Sequence, residues 1–175
     1  MTATETIYYT AAPTPVGDVL LTSDGESLTG LYLTERRPDP DWLPDRATLA
    51  PAVAELRAYF AGELQTFTVP IRTAGTPFQR AVWNELQRIP FGTTISYAEL
   101  AARVGNPRAS RAVGSANGRN EICIVIPCHR VIAADGTLGG FGGGLWRKDW
   151  LLKHEAEVVG RKGVRASPVL SVAAG

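Results

Sequence analysis

Neither cysteine nor histidine occurs in the first 75 residues. That half therefore offers no thiol and no imidazole, and a zinc site built from such ligands is excluded there. The whole chain of 175 residues holds only two of each, Cys123, Cys128, His129 and His154. Two cysteines are too few for a disulfide scaffold, and they point to a reducing compartment with free thiols. Met1 to Thr10 lacks a basic n-region and an apolar h-region, so no secretory signal is expected. No apolar run reaches the length of a membrane span. A cytoplasmic protein with no membrane partner is expected.

Charge is scarce in net terms, at +1, but unevenly placed. Residues 1–75 carry five Arg against ten Asp and Glu, a balance of −5; residues 76–175 carry thirteen Lys and Arg against seven Asp and Glu, a balance of +6. Either this is chance placement of solvated charge, or the second half meets a polyanion.

The apolar pattern divides the chain near residues 72–75. In residues 1–72, Ile7 to Tyr9, Val19 to Leu21 and Leu28 to Leu33 read as strands joined by turns at Pro15–Gly17 and Ser23–Gly25, an antiparallel meander. Arg36 to Pro44 reads as loop. Pro51 is expected to open a helix with the stripe Val53, Leu56, Phe60, and Leu64 to Ile71 is expected to add a strand. The predicted fold of this half is α+β with an antiparallel sheet.

Residues 76–160 read as a second, mainly helical domain. Thr76-Pro77-Phe78-Gln79 is a capping box with Pro at the first helical position, and its helix runs through Val82, Leu86 and Ile89 until Pro90 and Gly92. Ser96-Tyr97-Ala98-Glu99 is a second capping box, for a helix ending at Gly105. Asn106 is expected to cap a third, with Pro107 at its first position, ending near Ala116. Helix, short glycine turn, helix is the helix-turn-helix pattern, and the domain is winged-helix-like. The second helix is small-residued and carries two arginines, which either lets it approach a phosphate backbone or packs a tight helix pair. Asn117 to Asn120 reads as a polar turn, Leu145 to Glu155 as the last helix, and residues 161–175 as a disordered tail.

The chemistry centres on Ile122 to Ile132. Ile122 to Ile126 is an unbroken apolar run and reads as a strand buried on both faces, stopped by Pro127. Cys128, His129 and Arg130 follow where regular backbone ends. A thiol next to an imidazole is a candidate nucleophile, although adjacent residues on a strand face opposite ways, so contact needs an irregular turn or a bridging water. Cys123 and Cys128, five apart on an extended segment, are expected to face opposite sides, with Cys123 in the core. The spacing of the four possible ligands matches no usual zinc pattern, and no metal is expected. The run Gly139-Gly140-Phe141-Gly142-Gly143-Gly144 brings backbone N–H groups close to a ligand, but it is neither a dinucleotide fingerprint nor a phosphate loop. A cysteine hydrolase would use the thiol, an imidazole and this loop, leaving the arginine helix idle. A DNA-binding regulator would use the helix and leave the thiol idle.

Ile126-Pro127-Cys128-His129-Arg130-Val131-Ile132 resembles the active-site signature of the O6-alkylguanine-DNA alkyltransferases, the methylated-DNA–protein-cysteine methyltransferases. Ser96-Tyr97, Arg111-Ala112-Val113-Gly114, Asn120, the glycine loop and Leu151 to Glu155 resemble the same family. The resemblance spans Thr76 to Glu155 and, more weakly, the first half. It implies direct-reversal DNA repair, with O6-alkylguanine and O4-alkylthymine giving up their alkyl group irreversibly to Cys128, once per molecule and with no cofactor. His129 is implied as base through a water, with Glu155 holding the imidazole and favouring its cationic form. Asn120 orders the adjoining turn, and Tyr97 donates to the leaving base. Arg111 enters the stack as the target nucleotide rotates out. Ala109, Ser110, Ala112 and Gly114 line the helix in the minor groove, and Val131, Phe141 and Gly142 wall the pocket. The implied partner is double-stranded DNA, met by a monomer that binds either singly or cooperatively. Phe141 stands where the family often has Tyr, and Ser110 where it usually has Ala.

Overall fold

Three short strands open the first unit, residues 1–73; the computed structural model describes residues 3–33 and 35–161. β1 (Tyr8–Ala12), β2 (Val19–Ser23) and β3 (Leu28–Tyr32) form the antiparallel meander read from the sequence. β2 lies inside the sheet and is buried along its length, so its polar residues need partners: Thr22 shares a hydrogen bond with Thr29, and Ser23 Oγ accepts from the Gly25 N–H. The loop after β3 contributes β4 (Leu43–Pro44), which pairs parallel with β1. The sheet, in the order β3-β2-β1-β4, is therefore mixed at one edge.

α1 spans Arg46–Phe60, so Pro51 lies inside the helix and does not open it. Asp45 decides the start: its carboxylate accepts from both the backbone N–H and the hydroxyl of Thr48. The buried stripe is Leu49, Ala52, Leu56 and Tyr59, rotated one residue from the expected Val53 and Phe60, which flank it half-buried. α1 packs this stripe on β1 and β2. Leu64 to Ile71 forms no strand beyond a bridge between Ile71 and Leu28. Glu55 accepts from Thr68 and Val69 along this stretch, so a side chain takes hydrogen bonds that a ladder would have used.

The second unit, residues 74–175, begins with α2 (Pro77–Leu86). Its capping box closes as expected: Gln79 N–H donates to Thr76 Oγ1 at 3.1 Å, and Thr76 N–H to Gln79 Oε1 at 3.0 Å. β5 (Ile95–Ser96) leads into α3 (Tyr97–Arg103), where only half the predicted box forms, because Glu99 turns to Arg103 at 2.8 Å. α4 covers Ser110–Gly118. It starts later than expected, since residues 106–109 form a turn closed by the Ala109 N–H on the Asn106 carbonyl, and Ala109 stands at the cap. It also runs on through Asn117 and Gly118, where the polar sequence predicts a turn. α2, α3 and α4 pack on one another, and the buried Trp83 indole donates to the Ala116 carbonyl at 2.9 Å, tying α2 to α4.

β6 (Val131–Ile132) pairs parallel with β5, setting Ile95 against Val131 and Ser96 against Ile132. This two-strand clasp brings the start of α3 beside the Cys-His-Arg segment. α5 spans Leu145–Arg161, six residues or about 1.7 turns beyond the expected end at Glu155. Arg161, assigned to the tail from sequence, is thus helical, and residues 162–175 lie outside the described residues.

Candidate active site and nucleic-acid interface

Ile122 to Ile126 is not a strand. Ile124 has φ of 72°, the Val125 N–H donates to the Cys123 carbonyl and the Ile126 N–H to the Ile122 carbonyl, so the run folds into a tight turn. Asn120 holds it: its Nδ2 donates to the Ile126 carbonyl at 2.9 Å, and its Oδ1 accepts from the Ile122 N–H at 2.9 Å. Ile122, Ile124 and Ile126 are all buried, which is why the run looks the same in sequence as an inner strand. Folding back turns the Cys123 Sγ onto the Asn120 carbonyl at 3.9 Å and leaves Cys123 half-buried, not in the core as expected, whereas Cys128 is buried.

After Pro127, Cys128–Arg130 makes a single 3-10 turn. All three side chains are buried. His129 Nε2 meets Glu155 Oε2 at 2.6 Å. Glu155 is one of the few fully buried charges, and it accepts also from Arg130 Nε at 2.7 Å, Arg130 Nη2 at 3.1 Å and the Gly92 N–H at 3.0 Å. Arg130 Nη1 finishes on the Ile89 carbonyl at 2.8 Å. The buried polar groups predicted to need partners have them. Gly92, at φ 78°, is required here, because a Cβ would sit 2.5 Å from Val159 of α5.

Burial pushes the Glu155 carboxyl up, but His129 and Arg130 more than reverse this and hold it well below the usual carboxylate range. A carboxylate only accepts, so Nε2 of His129 carries a proton and Nδ1 is the lone-pair nitrogen. Burial holds the imidazole below its ordinary value; Glu155 opposes this, while Arg130 and Lys148 add to it. Glu155 therefore favours the cation, as expected, but burial outweighs it and favours the neutral imidazole. Arg130 already takes up much of that carboxylate's charge. The Cys128 thiol is lowered, first by the hydrogen bond with Cys123, against burial, then by Asn120 and by the Lys148 ammonium.

Lys148 went unnoticed in the sequence. It lies in the first turn of α5, fully buried, and its Nζ donates to the Leu138 and Gly140 carbonyls. Nζ sits 5.8 Å from the Tyr97 ring centroid and 5.9 Å from that of Phe141. Burial pushes it down to about 8, opposed by Cys128. The signal was available: Lys148, Leu151, Leu152, Glu155, Val158 and Val159 share the buried stripe of α5, and two charges on an apolar stripe need a reason.

The structure brings Tyr97, Cys128, Lys148 and Phe141 together. Burial raises the Tyr97 hydroxyl, as does the Cys128 sulfur, so it keeps its proton. Gly139, at φ 70°, packs so closely that a Cβ would lie 3.1 Å from the Tyr97 ring. Val131 is buried behind the site in β6, Phe141 is half-exposed, and Gly142 is exposed with open space where a side chain would be. His154 takes no part in this cluster; it stacks on Trp150 at 5.0 Å.

α4 presents its other face outward. Arg111 and Ala112 are exposed, Ala109, Ser110 and Gly114 are half-buried, and Val113, Ala116 and Asn117 are buried. Gly114 backs onto Tyr97, so the helix is one residue layer from the site. From the buried side, Asn117 Nδ2 donates to the Cys128 carbonyl at 3.3 Å, a second contact the sequence reading missed.

A buried thiol held below its ordinary value, in one turn with an imidazole that a buried carboxylate holds, beside a helix-turn-helix with an exposed arginine, defines a class of protein: one with a candidate reactive thiol on a scaffold suited to nucleic acid. Comparison makes the class particular. Residues 77–157 match the family model of the 6-O-methylguanine DNA methyltransferase DNA-binding domain, and residues 7–73 match that of its ribonuclease-like domain. The chain is 47% identical over 156 residues to a methylated-DNA--protein-cysteine methyltransferase of Mycobacterium leprae, covering 87% of this chain and 94% of that one. It is 46% identical over 153 residues to the protein of that name from Methanosarcina acetivorans, covering 85% and 98%. The crystal structure of Mycobacterium tuberculosis OGT in complex with DNA is similar with a TM-score of 0.83 at 44% identity, covering 93% of this chain and 98% of that one. The chain belongs to the 6-O-methylguanine DNA methyltransferase family.

Proposed function

We propose that the protein repairs DNA by direct reversal, moving the alkyl group of O6-alkylguanine, and of O4-alkylthymine, onto Cys128. The observation that carries this reading is the buried 3-10 turn that joins Cys128 to His129, whose Nε2 Glu155 holds at 2.6 Å. His129 Nδ1 takes the thiol proton through one water. The Cys128 sulfur attacks the alkyl carbon in line, the S–C bond forms as the C–O bond breaks, and the electron pair leaves with the base. Tyr97 gives its proton to the leaving ring, and the proton that His129 took from the thiol replaces it, so both groups end as they began. Asn120 keeps the turn in place while it donates to the sulfur. Lys148 supplies positive charge that the thiolate needs and the thiol does not. The alkyl carbon arrives already activated by its oxygen, so the step calls on no cofactor. A thioether has no ready leaving path, so each molecule reacts once.

The target atom is hidden in a duplex, so the nucleotide must leave the stack. Arg111, exposed on α4, fills the gap it leaves, while Ala109, Ser110, Ala112 and Gly114 allow α4 to approach the minor-groove floor. Val131, Phe141 and Gly142 enclose the flipped base. The partner is double-stranded DNA met by a monomer, in the cytoplasm, where such DNA is reached. Among the described residues no helix is long and apolar enough to cross a membrane. Incubation with a duplex bearing O6-methylguanine tests the reading by mass: a gain of one methyl per chain supports it. DNA binding without that gain would leave a regulator whose thiol is structural.

A further inference from the structure

Arg130 has no step in the chemistry above, yet two other parts of the chain are arranged around it. Its side chain meets Glu155 of α5 as a fork: Nε lies 2.7 Å from Oε1 and Nη2 3.1 Å from Oε2. Nη1 reaches the Ile89 carbonyl at 2.8 Å, and the guanidinium lies 5.5 Å from the centroid of the Phe91 ring. The same connector between α2 and β5 supplies the Gly92 N–H, which donates to Glu155 Oε1 at 3.0 Å. Each oxygen of the carboxylate thus takes two donors, and His129, at 2.6 Å on Oε2, is one among four. A carboxylate has about four lone-pair sites. Glu155 is saturated, and that leaves it a poor acceptor for the His129 proton itself.

The charge balance of the cluster points the same way. All three side chains are buried, His129 at 1%, Arg130 at 5% and Glu155 at 0% exposure. With a neutral imidazole their charges cancel. With an imidazolium the cluster carries one net positive charge, in a site where an uncompensated charge is costly. Without the guanidinium the balance reverses, because only an imidazolium would then offset the carboxylate. Building on the alkyl-transfer reading, we propose that Arg130 is a positioning residue for the proton: by holding both oxygens of Glu155 it keeps His129 a neutral base at rest. A histidine and a carboxylate alone would rest as an ion pair, with no lone pair left at Nδ1 to receive the thiol proton. Arg130 also makes the imidazolium short-lived. Once the Cys128 proton has passed through the water to Nδ1, the ring sits beside a permanent cation, and it gives that proton up to replace the one Tyr97 spends.

The charged and titratable groups around His129 are Cys128 and Arg130 of its own turn, Lys148 and Glu155 of α5, and Tyr97 of α3 across the sulfur. α2, which also packs on the turn, faces inward with Val82, Trp83 and Leu86, none of them titratable, and its Glu85 pairs with Arg88 at 3.3 Å. Arg130→Met and Arg130→Gln remove the guanidinium charge. The chain has two histidines, so imidazole nitrogen resonances report His129 once His154→Gln has assigned the other. In the unmutated protein His129 should be neutral near neutral pH, with its proton on Nε2. In both uncharged variants its midpoint should rise by at least about one pH unit. The acid limb of transfer from the free base O6-benzylguanine should move up by the same interval, with the unmutated rate regained in alkali. A purely structural arginine would instead lower the rate at every pH. Either variant suffices if the other does not fold, and the unmutated protein tests the resting state by itself. A midpoint that stays put in the uncharged variants, or an imidazolium at His129 near neutral pH in the unmutated protein, overturns the proposal. The titration needs no alkyl donor, so a raised midpoint in proteins that never acquire a benzyl adduct would sink the transfer reading and leave Arg130 as the group that keeps the imidazole neutral.

Discussion

Glu155 is bound at once by His129, at 2.6 Å, and by Arg130, at 2.7 Å, with the carboxylate and the imidazole each 1% exposed. The two partners have different consequences. Arg130 carries a permanent charge and neutralises the carboxylate. His129 is left with a strong hydrogen bond to Nε2 but without the full field of a free anion, so the bond orients the ring more than it charges it. A neutral imidazole fixed in one tautomer can take a proton; one already protonated cannot.

Replacing Glu155 by Gln is expected to slow transfer by at least about tenfold, since the ring loses both its orientation and part of its basicity. It should also cost stability, about 3–5 kcal/mol, because Arg130 is left as a buried charge without its counter-ion. Both carboxyl and imidazole are held below their ordinary values, 4.5 and 6.5. Below those values the unfolded chain binds more protons than the folded one, so each contributes stability that falls on acidification. The His129 share should begin to fall as pH drops through about 6.5 and the Glu155 share through about 4.5. Urea midpoints at neutral pH and in acid, for both proteins, check this. Identical transfer rates would reduce Glu155 to a structural group.

Lys148→Gln tests the buried ammonium. Its expected effect is a higher Cys128 pKa and transfer slowed by about tenfold at neutral pH. In the unmutated protein, Lys148 loses its charge as pH rises through about 8, which opposes the gain from ionising the thiol. The rate should therefore rise less steeply with pH above about 8 than a simple thiol titration, and in Lys148→Gln that flattening should vanish. Rates with O6-benzylguanine across pH 6–10, a span taken roughly from the ordinary thiol range, distinguish the two profiles.

Peptide mapping after reaction with O6-methylguanine DNA should place the methyl on Cys128 and none on Cys123. Cys123 has its Sγ on the Asn120 carbonyl and its thiol is held above its ordinary value, whereas the Cys128 thiol is lowered. Cys128→Ser should abolish transfer while DNA binding persists. A methyl found mainly on Cys123 would reverse the assignment.

Arg111→Ala should slow repair in a well-paired duplex by at least about tenfold, or about 1.4 kcal/mol in the barrier. The reason is that the arginine offsets part of the cost of unstacking, a few kcal/mol. The loss should shrink on a mismatched or single-stranded target and nearly disappear with O6-benzylguanine, which needs no flipping. A phosphate contact would instead weaken binding evenly on all duplexes and lower the salt slope by roughly one unit. Equal slowing with the free base would place Arg111 in support of the pocket.

What the sequence determined by itself was local. The meander of β1 to β3, the α2 capping box at Thr76 and Gln79, and the helix pair around Gly105 follow from preferences that act within a few residues. The Pro-Cys-His-Arg core was equally legible, and its family likeness implied Glu155 as the partner of His129. Tertiary structure decided the rest. Pro51 looked like a helix start until the Asp45 side chain claimed Thr48 and began the helix earlier. Ile122 to Ile126 is as buried as a strand would be, and burial is all its apolar pattern encodes. The Asn120 amide, gripping both ends of the run, makes it a turn and leaves Cys123 half-buried with its Sγ on the Asn120 carbonyl. Lys148 meets the Tyr97 and Phe141 rings only when α5 packs against the Cys-His-Arg turn and the Leu138 and Gly140 carbonyls. Such contacts join residues far apart in the chain, and their free energy is realised only after the loops between them have closed, so no window of sequence contains it.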